Sequence, residues 1–207
     1  EEGYRFSPGA MGSRAIALPE ALASFLGSTD ASGVAFEEER DATLRATSEA
    51  TTVPLGRQVR AYIEAHIEQG PILEASGCRL GVVTGIQGVR WFEITVRGSA
   101  AHAGTTPLES RQDALMTAAQ LVASIGAMAA SLEDPALRLT VGRFEAAPGA
   151  INTVADRTVF TIDLRHPDEP TLAACERRIR ELVKRGAGAC SAEIRSLMKH
   201  VPTIFAE

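Results

Sequence analysis

The order of periodic segments after Val89 constrains the fold most. Four segments alternate apolar and polar residues with the period of half-buried β-strands: 91–97, 137–146, 158–165 and 190–198. Two others carry apolar residues at helical spacing: 112–130 and 171–185. The order β-α-β-β-α-β predicts a ferredoxin-like α+β domain of about 110 residues, with four antiparallel strands backed by two helices.

The first part of the chain predicts a mixed α/β arrangement. Helices are predicted within 14–27, which Pro19 interrupts, and near 37–48. Residues 61–70 alternate like a strand, and 81–86 form a second short apolar strand. The change of pattern predicts three parts: a first domain at 1–86, the ferredoxin-like domain at 87–200, and a return to the first domain at 201–207.

Residues 98–107 join the first strand of the ferredoxin-like pattern to its first helix. They are rich in small residues, so the backbone can approach another group closely. His102 is the one imidazole among them, and a turn after a strand is a common place for ligand contacts. A histidine that only caps the following helix would give the same pattern, so both interpretations stand on these residues alone.

Candidate metal chemistry lies near the start of the chain. Glu1 and Glu2 are adjacent carboxylates, and one could bind a metal while the other takes a proton from a metal-bound water. His66 lies near the end of the predicted strand at 61–70, where an imidazole could be a metal ligand. An acidic terminus and a surface histidine are the alternative interpretations.

Two further polar residues flank the third predicted strand. Asn152 could occupy a turn because asparagine tolerates unusual backbone angles. Arg165 could be an ordinary surface cation. Asparagine and arginine also hold amide carbonyls and carboxylates in binding pockets, and arginine does so through two parallel hydrogen bonds.

Composition excludes some functional classes. The net charge is −5 with scattered arginines, which argues against nucleic acid as a main partner. No apolar run reaches the length of a membrane span. Three cysteines without a C-x-x-C pair indicate reduced thiols and a cytoplasmic protein. The sequence starts without methionine and stops in mid-pattern, so we expect it to be a piece of a longer protein.

Five phrases of the sequence together resemble one family. They are Glu1-Glu2-Gly3-Tyr4-Arg5-Phe6, Gly12-Ser13-Arg14, His66-Ile67-Glu68-Gln69-Gly70-Pro71, His102-Ala103-Gly104-Thr105-Thr106-Pro107 and Gly149-Ala150-Ile151-Asn152. The chain is similar to the hydantoinase/carbamoylase amidases, a branch of the M20 metallopeptidase-like hydrolases. The branch includes N-carbamoyl-L-amino acid hydrolases and allantoate amidohydrolases. The resemblance runs from residue 1 to about residue 200.

The resemblance implies a two-domain enzyme with two divalent metal ions in its catalytic α/β domain. The inserted ferredoxin-like domain would act as a lid and form a homodimer. Glu1 matches the general base, Glu2 and His66 match metal ligands, and Gln69 matches a substrate-side residue. Zinc, manganese, cobalt and nickel all suit such carboxylate and imidazole ligands.

The resemblance also assigns substrate contacts to the lid. His102, Asn152 and Arg165 match the family's substrate-binding residues. His102 is expected to reach the neighbouring subunit's active site and polarise the scissile carbonyl, and Arg165 to bind the substrate carboxylate. His166 and His200 match no ligand, and we expect both on the surface.

The family's remaining metal ligands lie upstream of the Glu1-Glu2 pair and downstream of the lid. Two protein ligands cannot hold two metal ions at useful affinity, so we expect this segment alone to bind no metal and to be inactive.

The sequence therefore favours hydrolysis of a linear amide or ureido C–N bond in a small carboxylated substrate by the parent enzyme. Two alternatives remain open: an M20 peptidase or aminoacylase, and a non-catalytic dimerisation module built on the ferredoxin-like domain.

Overall fold

The computed structural model describes residues 5–6, 9–51, 53–58 and 60–205. The chain divides into two compact units between Pro71 and Ile72. This division differs from the boundary expected after residue 86, because β1 (Gly85–Ile86) pairs with β8 (Thr203–Ile204) and joins 72–86 to the second unit. The extent of each domain in the parent protein stays a prediction.

The first unit contains the helices that the sequence predicts. These are α1 (Met11–Ala17), α2 (Leu22–Leu26), which follows a 3₁₀ turn at Pro19–Ala21, and α3 (Phe36–Ala46). Ala15 and Phe25 are buried, and the Arg14 guanidinium lies over the Phe25 ring.

The prediction of a strand at 61–70 is wrong. Residues 61–68 have no regular secondary structure, and Ile63 and Ile67, which the alternation places inward, are 94% and 76% exposed. Alternation is a local property, whereas a strand needs a partner to accept its backbone hydrogen bonds and cover its apolar face. The described residues supply no such partner here.

The second unit confirms the ferredoxin-like order. After the short helix α4 (Ile72–Ala75), its elements run in sequence as β2 (Gly88–Arg97), β3 (Ala101–His102), α5 (Ala114–Ala130), β4 (Arg138–Ala147), β5 (Thr153–Val154), β6 (Arg157–His166), α6 (Glu169–Gly186) and β7 (Ser191–His200). The four long strands form an antiparallel sheet in the order β4-β6-β2-β7. None of the described helices is long and apolar enough to span a bilayer.

The two long helices of this unit, α5 and α6, begin at aspartate caps and pack on one face of the sheet. Asp113 accepts hydrogen bonds from the N–H groups of Leu115 and Met116, and Asp168 accepts one from Thr171. The core lies between the helices and the alternate residues of the central strands: Phe92, Ile94, Val96, Phe160, Ile162 and Leu164 face Ala118, Leu121, Ile125, Leu172, Ile179 and Val183.

Arg90 is a buried cation in this core, with 1% of its surface exposed. It forms ion pairs with Glu169 and, at 3.2 Å, with Glu176, and it donates to the His200 carbonyl oxygen at 2.7 Å. These contacts connect α6 to β2 and to the end of β7. A buried charge needs such partners, because its desolvation is otherwise costly.

His166 is buried, so the expectation that it lies on the surface is wrong. Its Nε2 lies 2.9 Å from a carboxylate oxygen of Asp134, and its Nδ1 accepts from the Asp168 N–H at 2.9 Å. The residue is the last of β6 and has the same alternation phase as Leu164, which directs it to the core. His200 is exposed, as expected.

The Asp134 carboxylate predicts a pH-dependent stability. Its pKa is lowered from 3.8 by the Ala136 N–H and by His166, so the ionised form favours the folded state. The stabilisation of the folded state by the ionised carboxylate is complete above pH 3.8. It is lost as the pH falls through the lower pKa that Asp134 has in the folded state.

Asp134→Asn should therefore reduce the free energy of unfolding at neutral pH, and the difference from the unmodified chain should shrink below pH 3.8. Urea denaturation across this range measures the difference. Asp156→Asn is the control, because Asp156 is exposed. A difference that stays constant with pH would contradict the assignment.

Candidate functional site

His102 and Asn152 are brought together by a short antiparallel ribbon. Strand β3 pairs with β5, with His102 opposite Thr153, and the Ala103 N–H donates to the Asn152 carbonyl oxygen at 3.0 Å. Both side chains are exposed. The backbone of Asn152 therefore adjoins that of His102 and Ala103, on a ribbon that is fixed by backbone hydrogen bonds.

Gly98 anchors this ribbon to the sheet and to α5. Its N–H donates to the Asp156 carbonyl oxygen at 2.7 Å, and the next N–H, of Ser99, donates to the Gln112 carbonyl oxygen at 2.9 Å. A Cβ atom at Gly98 would overlap that same Gln112 carbonyl oxygen. The close approach expected from the small residues at 98–107 is confirmed at this position.

Gly98→Ala should lower the free energy of unfolding by about 2 kcal/mol or more, because backbone at the start of α5 must move. Chemical denaturation of the two proteins measures the loss. Gly142→Ala, in β4, is the control, since an added Cβ there meets only the Thr161 hydroxyl at 3.7 Å. Equal stabilities of the two variants would contradict the prediction.

The His102 ring is held in one orientation by Gly104. The Gly104 N–H donates to Nδ1 at 3.1 Å, so the neutral ring carries its proton on Nε2. A Cβ atom on Gly104 would lie 3.3 Å from the imidazole Cε1, a tight contact that glycine avoids. The imidazole therefore presents Nε2–H outward as a hydrogen-bond donor.

Arg111, which the sequence analysis did not single out, holds the loop that carries His102. Its Nε donates to the Thr106 carbonyl oxygen at 3.0 Å and its Nη2 to that of Ala103 at 2.6 Å. The loop closes on itself through the Thr106 N–H, which donates to the His102 carbonyl oxygen at 3.1 Å. No sequence pattern indicates this role, because both acceptors are main-chain atoms.

Arg165 lies at the other end of the sheet. It pairs in register with Val89 on one side and Arg138 on the other. Its Nε and Nη2 donate to both oxygens of Asp163, at 2.7–3.1 Å, and this bond raises the pKa of Arg165. The guanidinium is thus a fixed, exposed cation with further N–H groups available.

The two groups of candidate residues are far apart within one chain. Asn152 and His102 adjoin the end of β6 at Arg157, and Arg165 lies eight positions further along that strand. Eight residues of antiparallel strand span about 27 Å. A small substrate bound by His102 therefore cannot contact Arg165 of the same chain.

Of the predicted metal residues, His66 alone lies in the described part of the chain. Glu1 and Glu2 lie outside the described residues. His66 is exposed, with Nδ1 at 2.5 Å from the Ile67 carbonyl oxygen, and Gln69 is exposed with a left-handed φ of 54°. Within the described ranges, no three His, Cys, Asp or Glu side chains come together to hold a metal ion. His66 alone does not fit a two-metal centre.

Known families and relatives agree with the fold of the second unit. A family model described as peptidase dimerisation domain, M20 type, matches residues 84–189. The chain is 41% identical to an N-carbamoyl-L-amino-acid amidohydrolase of Paenarthrobacter aurescens, over 88% of this chain and 44% of that protein. It is 36% identical to the allantoate amidohydrolase of Escherichia coli, over 83% of this chain and 41% of that protein.

Solved structures extend the similarity beyond the matched domain. A hydantoinase/carbamoylase family amidase from Burkholderia vietnamiensis superposes with a TM-score of 0.82 at 37% identity, over 99% of this chain and 49% of that one. The chain therefore spans about half the length of the relatives it matches.

Proposed function

This chain belongs to the M20 family through its peptidase dimerisation domain, and we propose that its full-length parent is a divalent-metal-dependent amidohydrolase. The substrate class would be a linear N-carbamoyl amino acid or an allantoate-like ureido compound. The proposal is supported by the relatives, which are named for N-carbamoyl-L-amino acid and allantoate hydrolysis.

The observation that carries the proposal is the placement of His102 and Arg165. An outward Nε2–H suits a carbonyl oxygen that becomes negative during hydrolysis, and the exposed carboxamide of Asn152, whose backbone adjoins the same ribbon, can hold an amide or ureido group. The Arg165 guanidinium suits a carboxylate. The two functions match the two ends of a ureido acid.

The distance between these residues within one chain supports a site that is shared between two subunits. A dimer through the ferredoxin-like domain would let His102 and Asn152 of one subunit meet Arg165 of the other. The sheet offers two edges for such an assembly, β4 and β7, since each pairs on only one side within the four-stranded sheet. Each active site would then contain residues from both chains.

We assign the remaining roles from the resemblance of the sequence phrases to the family. Glu1 would take the proton of the attacking water, Gln69 would contact the substrate, and Glu2 with His66 would be metal ligands. The divalent ions of the parent would supply Lewis acidity. His102 would donate to the developing oxyanion while Arg165 holds the carboxylate.

A substrate panel with metal analysis tests the proposal on the purified full-length protein. We expect bound divalent metal, and ammonia release from N-carbamoyl amino acids or allantoate but not from matched ureas that lack a carboxylate. Preference for dipeptides or N-acetyl amino acids would instead establish a peptidase or aminoacylase. Absence of both metal and turnover would establish a non-catalytic module.

A further inference from the structure

We propose that Arg111 is a positioning residue for His102. The inference rests on the proposed function, because it assigns Arg111 the task of holding the His102 loop in its working geometry. The guanidinium spans the loop from Ala103 to Thr106, the two residues whose carbonyl oxygens it binds.

The bound loop is the one that fixes the imidazole. Gly104, whose N–H orients Nδ1 of His102, lies between the two carbonyl groups that Arg111 holds. Thr106 also donates its N–H to the His102 carbonyl oxygen. A shift of this loop would therefore move the Gly104 N–H and rotate the imidazole.

Arg111 itself is attached to the rigid part of the domain. The next residue, Gln112, accepts a hydrogen bond from Ser99, and the Ala114 N–H donates to the Ala155 carbonyl oxygen at 3.0 Å. The cap of α5 at Asp113 follows directly. The guanidinium thus fixes the exposed loop relative to the first residues of α5.

Arginine is specifically suited to this arrangement. Its planar fork reaches two acceptors at once with fixed geometry, whereas a lysine ammonium is a point charge on a flexible stem. The structure gives Arg111 two main-chain acceptors and no carboxylate partner among its described hydrogen bonds and ion pairs. Its described contacts therefore hold the loop in place and include no ion pair.

The test compares Arg111→Ala, Arg111→Lys and His102→Ala in the full-length protein, with Arg185→Ala, an exposed residue of α6, as the control. For Arg111→Ala we expect kcat to fall about ten- to a hundred-fold with little change in KM. Adding guanidinium ion should restore part of the lost kcat. Arg111→Lys should restore the activity only in part, because lysine cannot bind both carbonyl oxygens with the same geometry. Hydrogen exchange at Gly104 and Thr106 should accelerate while the sheet amides stay protected.

Unchanged exchange at Gly104 and Thr106, or unchanged kcat in Arg111→Ala when His102→Ala is impaired, would overturn the inference. Full turnover by His102→Ala would overturn the proposed role of His102 instead. The exchange measurement would then still report whether Arg111 holds the loop, so the two failures are distinguishable.

Discussion

Replacing His102 with alanine in the full-length protein lowers kcat about a hundred- to a thousand-fold in our account, the cost of removing one preorganised oxyanion donor. The donor is the Nε2–H group of the imidazole. The proton of the neutral ring lies on Nε2 because the Gly104 N–H donates to Nδ1. KM should change less, since this bond strengthens as charge develops on the carbonyl oxygen. Steady-state kinetics on an N-carbamoyl amino acid measure both constants.

The matched control is His200→Ala, which removes an exposed imidazole at the end of β7 and should leave kcat unchanged. A folded His102→Ala protein with kcat within a few-fold of the original would remove His102 from the reaction.

Replacing Glu1 with glutamine should reduce kcat about a hundred- to ten-thousand-fold, because an amide of the same shape cannot accept the proton of the attacking water. The metal content should stay at that of the unmodified enzyme, since the neighbouring Glu2 is the expected ligand. Turnover and elemental analysis of the same preparation separate the two carboxylates.

Glu20→Gln, in the exposed 3₁₀ turn before α2, is the control for a general charge effect. Normal turnover in Glu1→Gln would exclude Glu1 as the base. Loss of the metal would identify Glu1 as a ligand instead.

The fold of the second unit could be predicted from sequence because its signals are local. Each long strand carries its own alternation, and each of the two long helices has an aspartate cap and an apolar stripe. The strand expected at 61–70 shows where such reasoning fails, since alternation reports a possible inward face but not a partner to cover it. Ile63 is almost fully exposed for that reason.

The buried polar residues were missed although a signal was present. Arg90 shares the alternation phase of Phe92 and Ile94, and His166 shares that of Leu164, so strict counting places both toward the core. Their partners come from distant segments, Glu169 for Arg90 and Asp134 for His166, which no local pattern identifies.

The candidate site was predicted in part. His102 and Asn152 are far apart in sequence, and the pairing of β3 with β5 brings them together. Arg165 is separated from His102 and Asn152 by the length of β6, because they lie at opposite ends of that strand. The role of Arg111 was not predictable, because every residue has a main-chain carbonyl group and the sequence does not show which of them an arginine binds.

The most direct test of the shared site is complementation between two inactive variants. His102→Ala and Arg165→Ala, co-expressed as full-length chains, should recover about a quarter of the original activity, because half of randomly formed dimers are mixed and each contains one intact site. His102→Ala with Asn152→Ala is the control and should recover none, since both residues come from the same end of one subunit. No recovery in the first pair, with mixed dimers present, would contradict the account.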